Sequence, residues 1–283
     1  MPTVQWNKET WDGRYNWEEE GEEWSDTWGG SDMQWYGAIL TRIHAFLPAR
    51  RILELAPGFG RWTHFLRAQC EQLHVVDFSE QCIEACKQRF SNDTHIIYSV
   101  NDGLSLNMVD NESIDFVFSF DSLVHCEEDV VESYVSQLRS KLTPNGVCFL
   151  HHSNYGNHLP LFRGWELSGS MRWRLARLRL LAPAKRLGIV DWSHKRSSSM
   201  TAEKMRTFGN RHGLRWIAQE TVNWGTKAPI DCFSTLVRAD AAWPARELVQ
   251  ENRSFMREAN DLCRLSRLYG RRGLERERAI RQA

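Results

Sequence analysis

From residue 36 to 153 the chain alternates short, continuously apolar runs with amphipathic segments, and this alternation narrows the fold more than any other feature. The runs are RILEL (51–55), LHVVDF (73–78), THIIYS (94–99), IDFVFSF (114–120) and GVCFLHHS (146–153). Between them, SEQCIEACKQRF (79–90) offers Ser79 as an N-cap. EEDVVESYVSQLRSKLTP (127–144) puts Val131, Tyr134, Leu138 and Leu142 on one helical face, with Pro144 after its end. Strands that are apolar on both faces and alternate with helices predict a parallel sheet covered on both sides. LRWIAQE (214–220) and CFSTLVRA (232–239) add two strands. The expectation is a doubly wound α/β domain with a seven-stranded sheet over residues 36–240, which holds ligand beyond the carboxyl ends of its strands.

The stretch ILELAPGFGRWTHFL (52–66) falls at such a carboxyl end. Gly58 and Gly60 give the backbone between strand and helix more freedom than a plain connection needs. The second strand ends in Asp77, where an acid can grip two ribose hydroxyls. The third is followed by VNDG (100–103), whose Asp102 is placed to accept from an adenine amino group. Glycines, an acid and a second acid at consecutive strand ends describe a nucleoside site.

The order Glu54-x-Ala56-x-Gly58-x-Gly60 resembles the first motif of class I S-adenosylmethionine-dependent methyltransferases, Glu/Asp-x-Gly-x-Gly-x-Gly, with Ala56 and then Pro57 as departures. The resemblance runs over roughly residues 36 to 240 and implies a Rossmann-like fold that binds S-adenosylmethionine. It implies that Gly58 approaches the amino-acid part of the cofactor, Asp77 the ribose and Asp102 the adenine. Glu54, Ala56, Gly60, Phe78, Gly103 and Phe120 complete that expected site.

Methyl transfer from a sulfonium needs an aligned nucleophile, and a weak nucleophile also needs its proton removed by a base or a metal. Acceptor chemistry is therefore expected after the fourth and fifth strands, in SFDSLVHCEED (119–129) and FLHHSNYGNH (149–158). Asp121 closes the fourth strand with His125 one turn on. His151 and His152 close the fifth and point to opposite faces if it stays extended. FSFDSLVH with FLHHSN looks like the sugar O-methyltransferases of polysaccharide and natural-product pathways, including the mycobacterial methylmannose polysaccharide type. That likeness implies a carbohydrate hydroxyl as acceptor, His152 or His151 as base, and Mg²⁺ as helper. Asp121, His152, Glu166 and Asp191 are the candidate ligands for it. A phenol, amine or carboxylate acceptor stays open, as does a cofactor-binding subunit without activity. The Asn-Pro-aromatic signature of amino and adenine N-methyltransferases is absent after strand four, which argues against DNA-adenine and glutamine targets.

The flanks differ from this core. Residues 1–35 hold six of the thirteen tryptophans in an acidic setting and read either as a lid over the site or as a staple onto the core. Tyr15 and Trp35 are its candidates for touching cofactor. Residues 154–200 form a basic insertion, expected to be an amphipathic helix with a solvated cationic rim or a platform for an anionic or membrane-surface acceptor. Residues 241–283 read as a helical tail, with Leu262, Leu265 and Tyr269 placed to dock on the domain or on a second copy.

Net charge is zero over 283 residues, so no global field draws in nucleic acid. The seven scattered cysteines include no Cys-x-x-Cys pair, which points to a reducing compartment. The N-terminus lacks a basic n-region and an apolar run, and no run of apolar residues is long enough to span a membrane, so a cytoplasmic protein is expected.

Overall fold

The computed structural model describes residues 3–17, 19–159, 195–244 and 247–269, together with 174–175, 177–178 and 180. The strands are β1 (Ala49–Leu55), β2 (Cys70–Asp77), β3 (Ile96–Val100), β4 (Ile114–Ser119), β5 (Leu142–Ser153), β6 (Leu214–Val222), β7 (Asp231–Arg238) and β8 (Leu248–Asn252). They form one sheet in the order β3-β2-β1-β4-β5-β7-β6-β8. The first five are parallel, β7 runs antiparallel to both β5 and β6, and β8 lies parallel to β6. The α/β architecture matches the expectation, but the sheet has eight strands rather than seven. The extra strand, LVQEN, is exposed at all but its last residue and pairs only with β6. It therefore lacks the apolar run that marks the inner strands.

Side chains alternate across each strand and divide the core into two layers. One layer takes Ile52, Phe116, Phe118, Phe149 and Phe233 with Trp28, Trp35 and Phe255; the other takes Leu53, Val117, Cys148, Leu150 and Leu236. The main helices are α1 (Val4–Glu9), α2 (Ser31–Gln34), α3 (Leu40–Ile43), α4 (Thr63–Leu66), α5 (Glu80–Arg89), α6 (Glu128–Lys141), α7 (Ala202–Arg211) and α8 (Phe255–Tyr269). Buried Ile83 and Cys86 of α5 join the first layer, while Val131 and Leu138 of α6 and Met205 of α7 join the second. Ser79 caps α5, its hydroxyl accepting from the Cys82 amide at 3.1 Å. No helix among the described residues is long and apolar enough to cross a membrane.

The N-terminal arm is fixed at one end and laid over the strand ends at the other. Trp28 is 1% exposed and packs on Trp224 at 4.7 Å and on Phe255 of α8 at 5.8 Å between ring centroids. The Ser266 hydroxyl of α8 donates to the Gly29 carbonyl at 2.8 Å, and Leu262 packs against the same core layer. Leu265 and Tyr269 stay exposed. Trp35 lies in the core, stacked on Phe65 at 4.9 Å and 9°, so it is distant from the cofactor role expected of it. Trp28→Ala is expected to destabilise the fold by about 3–5 kcal/mol, as a large buried aromatic does when truncated. Denaturant unfolding should show this as a lower midpoint, and an unchanged midpoint would place the arm's anchor elsewhere.

Candidate functional site at the strand ends

The turn after β1 begins with Ala56, whose amide donates to the Val76 carbonyl at 2.8 Å and extends the β1–β2 ladder by one residue. The chain then leaves the sheet through left-handed backbone at Ala56 (φ 56°), Gly58 (59°) and Gly60 (84°). A Cβ at Gly60 would sit 2.5 Å from the Phe90 ring, so that glycine serves helix packing. A Cβ at Gly58 would meet the Trp17 indole at 2.9 Å, so that glycine makes room for the arm to lie on the turn. Across the turn, the Ser122 hydroxyl donates to the Ala56 carbonyl at 2.7 Å and ties the end of β4 to it.

A cleft enclosing about 910 Å³ of empty space, its open mouth included, runs along these strand ends. Of the expected cofactor residues, Ala56, Gly58, Asp77, Phe78, Gly103 and Phe120 line it. The Asp77 carboxylate is 5% exposed and accepts from the Ser79 amide at 2.9 Å and the Gly58 amide at 3.4 Å. Burial pushes its pKa up to about 7 despite those two bonds. Glu54 sits behind the turn, 1% exposed, with one oxygen accepting from the Thr63 hydroxyl at 2.6 Å and the other, Oε1, unpartnered. Burial, reinforced by Asp77, raises its pKa to about 8. Asp102 is placed differently from the expectation. Its carboxylate turns to its own loop, accepting from the Ser105 and Leu104 amides at 2.6 and 2.9 Å, and these bonds lower its pKa.

On the acceptor side, Asp121 and His125 line the cleft and the other two expected groups do not. Asp121 has left-handed backbone (φ 64°), and its amide donates to His151 Nδ1 at 3.0 Å. Its carboxylate accepts from Arg61 at 3.1 Å and lies 3.7 Å from Arg196. His151 is sealed against Phe120, Trp224 and Phe233, and its Nε2 donates to Asp231 at 3.2 Å. Burial alone would raise the Asp231 carboxyl; Arg196, bonded at 2.8 and 2.9 Å, and His151 reverse this and hold it far below the usual carboxylate range. His152 points to the opposite face as the alternation requires, between the Ser234 hydroxyl (2.7 Å) and the Ser153 carbonyl (2.9 Å). Burial lowers its pKa to about 4. Half-buried His125 has Nδ1 at 3.1 Å from the Lys195 carbonyl. A carbonyl only accepts, so Nδ1 carries the proton and Nε2 is left as the acceptor. Burial and then Arg196 lower its pKa to about 4, so the ring is neutral at pH 7.

Of the residues expected to hold Mg²⁺, Asp121 is paired with Arg61 and His152 bonds to Ser234 and Ser153 away from the cleft, while Glu166 and Asp191 fall outside the described residues. No cluster with metal-ligand character forms among the described residues.

The arm supplies groups the motifs did not single out. Trp11, Trp17 and Trp24 line the cleft, and Trp17 stacks on Phe59 at 4.4 Å and 4°. Tyr15 packs beside them with its hydroxyl on Glu23. Glu20 pairs with Arg89 of α5 at 3.1 Å, and Asp12 reaches the Ser79 hydroxyl. Arg61 could be suspected only from its position after Gly60; Arg196 and Asp231 carry no local signal at all.

Residues 52–146 match the family model described as Methyltransferase domain. The chain carries a methyltransferase domain. Its cofactor is S-adenosylmethionine, and the residues present fit that group through a glycine turn at the cleft and a buried carboxylate at the end of β2 that lines it. The chain is also similar, at 28% identity over 134 residues, to squalestatin hexaketide synthase from a Phoma species. That match covers 42% of this chain and 5% of the much longer synthase. Among solved structures it resembles an S-adenosylmethionine-dependent methyltransferase from Clostridium acetobutylicum (12% identity, TM-score 0.51, 83% of this chain and 97% of that one). It also resembles the PH0226 protein from Pyrococcus horikoshii (16% identity, TM-score 0.51, 81% and 95%). At such identities the likeness is one of fold.

The raised Asp77 pKa sets a pH dependence for the methyltransferase domain. Ribose hydroxyls donate to the ionised carboxylate, so binding favours the deprotonated form. Affinity for S-adenosylhomocysteine is therefore expected to rise about tenfold per unit up to about pH 7 and level off above it. The unliganded fold behaves oppositely. Against an unfolded value of 3.8, the folded carboxyl holds its proton longer, and its contribution to stability is lost as pH rises through about 7. Calorimetric titrations across pH 5.5–8.5 check the first statement. Asp77→Asn should flatten the profile, and a flat wild-type profile would contradict the assignment.

Proposed function

We propose that the chain is an S-adenosylmethionine-dependent O-methyltransferase whose acceptor is a hydroxyl of a sugar or sugar-bearing small molecule. The observation that supports this most is the lining of the cleft, where Trp11, Trp17 and Trp24 stand together with Asp121 and His125, the Trp11 ring 5.6 Å from that of His125. Indole faces suit the C–H faces of a sugar ring, and a carboxylate beside a neutral imidazole suits a hydroxyl that must be oriented and deprotonated.

When bound, the cofactor supplies an electrophilic methyl group on a sulfonium. The β1 turn would hold its amino-acid end, Asp77 its ribose, and Gly103 with Phe78 would flank its adenine. Asp121 accepts a hydrogen bond from the attacking hydroxyl and fixes its direction, because Arg61, Arg196 and His151 hold that residue on three sides. His125 Nε2 takes the proton as the new bond forms. The low pKa of His125 keeps it unprotonated at neutral pH but makes it a weak base, so alignment and exclusion of water carry more of the rate. The arm serves as the lid. His151 acts through Asp121, and His152 serves the fold.

Asp121→Asn is expected to lower turnover by about 10²-fold and His125→Ala by about 10²-fold, with S-adenosylhomocysteine affinity retained in both. The test is transfer of labelled methyl from S-adenosylmethionine to a panel of glycans, sugar nucleotides, phenols and amines, with and without EDTA. Transfer to a sugar hydroxyl is expected. Transfer only to amines or phenols would replace the acceptor class, and cofactor binding without transfer to anything would favour a non-catalytic subunit. Loss of activity in EDTA would bring Glu166 and Asp191 back as metal ligands.

A further inference from the structure

Arg61 joins three parts of the molecule that sequence keeps apart. It leaves the β1 turn directly after Gly60 and is 4% exposed. One terminal nitrogen donates to the Ser25 hydroxyl of the arm at 3.0 Å and the other to Asp121 at the end of β4 at 3.1 Å. Its guanidinium lies 4.5 Å from the Trp62 ring centroid and 5.2 Å from that of Trp24, which belongs to the arm. Ser25 is fully buried, and its hydroxyl donates to Gln34 Oε1 at 2.8 Å. The planar fork is thus held by rings and hydrogen bonds, and two of its partners are present only while the arm is seated. Asp121 needs such a hold, because its left-handed backbone is unfavourable for a residue with a side chain.

We propose that Arg61 is a positioning residue that couples the seating of the arm to the alignment of Asp121. The acceptor-side carboxylate is then fully set only when Trp24 and Ser25 are in place. The proposal rests on Asp121 being the acceptor-side group of a methyltransferase and adds the device that links its alignment to closure.

The test is hydrogen–deuterium exchange on the full chain, read at residues 120–126 and 19–28, for wild type, Ser25→Ala, Arg61→Met and Arg61→Lys. Ser25 bonds to Arg61 and Gln34 rather than to Asp121. Even so, Ser25→Ala should speed exchange at 120–126, and Arg61→Met should do so by about tenfold, as expected when a charge-assisted bond is lost. Arg61→Lys should restore part of the protection. The double variant Ser25→Ala/Arg61→Met should exchange no faster at 120–126 than Arg61→Met alone. Loosening confined to 19–28 in Ser25→Ala, or additive effects in the double variant, would overturn the coupling. If Arg61→Met does not fold, Ser25→Ala and Arg61→Lys decide the matter alone. With any acceptor found by the transfer panel, Ser25→Ala should lower kcat while leaving KM for the cofactor near wild type. Failure of wild type to bind S-adenosylhomocysteine would end the methyltransferase reading and leave the exchange result standing separately.

Discussion

The cleft depends on where the backbone leaves β1. The Ala56 amide makes the last ladder bond to β2, and from Ala56 the chain turns through three left-handed positions, Ala56, Gly58 and Gly60, before α4 begins at Thr63. That exit leaves the ends of β1, β2 and β4 adjacent, with Asp77 beneath the Gly58 amide and Ser122 bonded to the Ala56 carbonyl. Moving the exit by one residue would invert the side chains of β1 and bring Glu54 out from behind the turn. Glu54 and Asp77 are both buried and raised towards neutrality, and a ligand in the cleft that donates to Asp77 can offset the cost of ionising it there.

The parallel half of the sheet was open to sequence reasoning because burial on both faces writes continuous apolar runs, and the turn carried its own glycines. Ser79, Asp77 and Gly58 follow from such local rules. β8 was hidden because LVQEN packs against almost nothing on its outer side. The same limit governs the histidines. Alternation correctly sends His151 and His152 to opposite faces, yet their partners, Asp231 and Ser234, lie about eighty residues away and emerge only when β7 pairs with β5. Asp102 shows the reverse error, since an acid at the right strand end was diverted by the two amides of its own loop.

The tryptophans of the arm divide between two tasks. Trp28 and Trp35 bury themselves in the core and hold the arm, whereas Trp11, Trp17 and Trp24 face the cleft. Density of aromatic residues marks the arm as important without assigning either task; the division depends on α8, which supplies Phe255 and Ser266 to the anchored half. From the other side, Lys195 and Arg196 return from the basic insertion to the Trp6 ring and to Asp231. Charge around Asp121 is therefore balanced internally among the described residues, Arg61 and Arg196 against Asp121 and Asp231.

A crystal structure of the chain with S-adenosylhomocysteine decides whether the strand-end cleft is the cofactor site. Both ribose hydroxyls are expected on the Asp77 carboxylate, the amino-acid end against the Ala56–Gly58 backbone, and the adenine beside Gly103. Ligand density elsewhere, or in the cleft with Asp77 unbonded, would contradict that assignment.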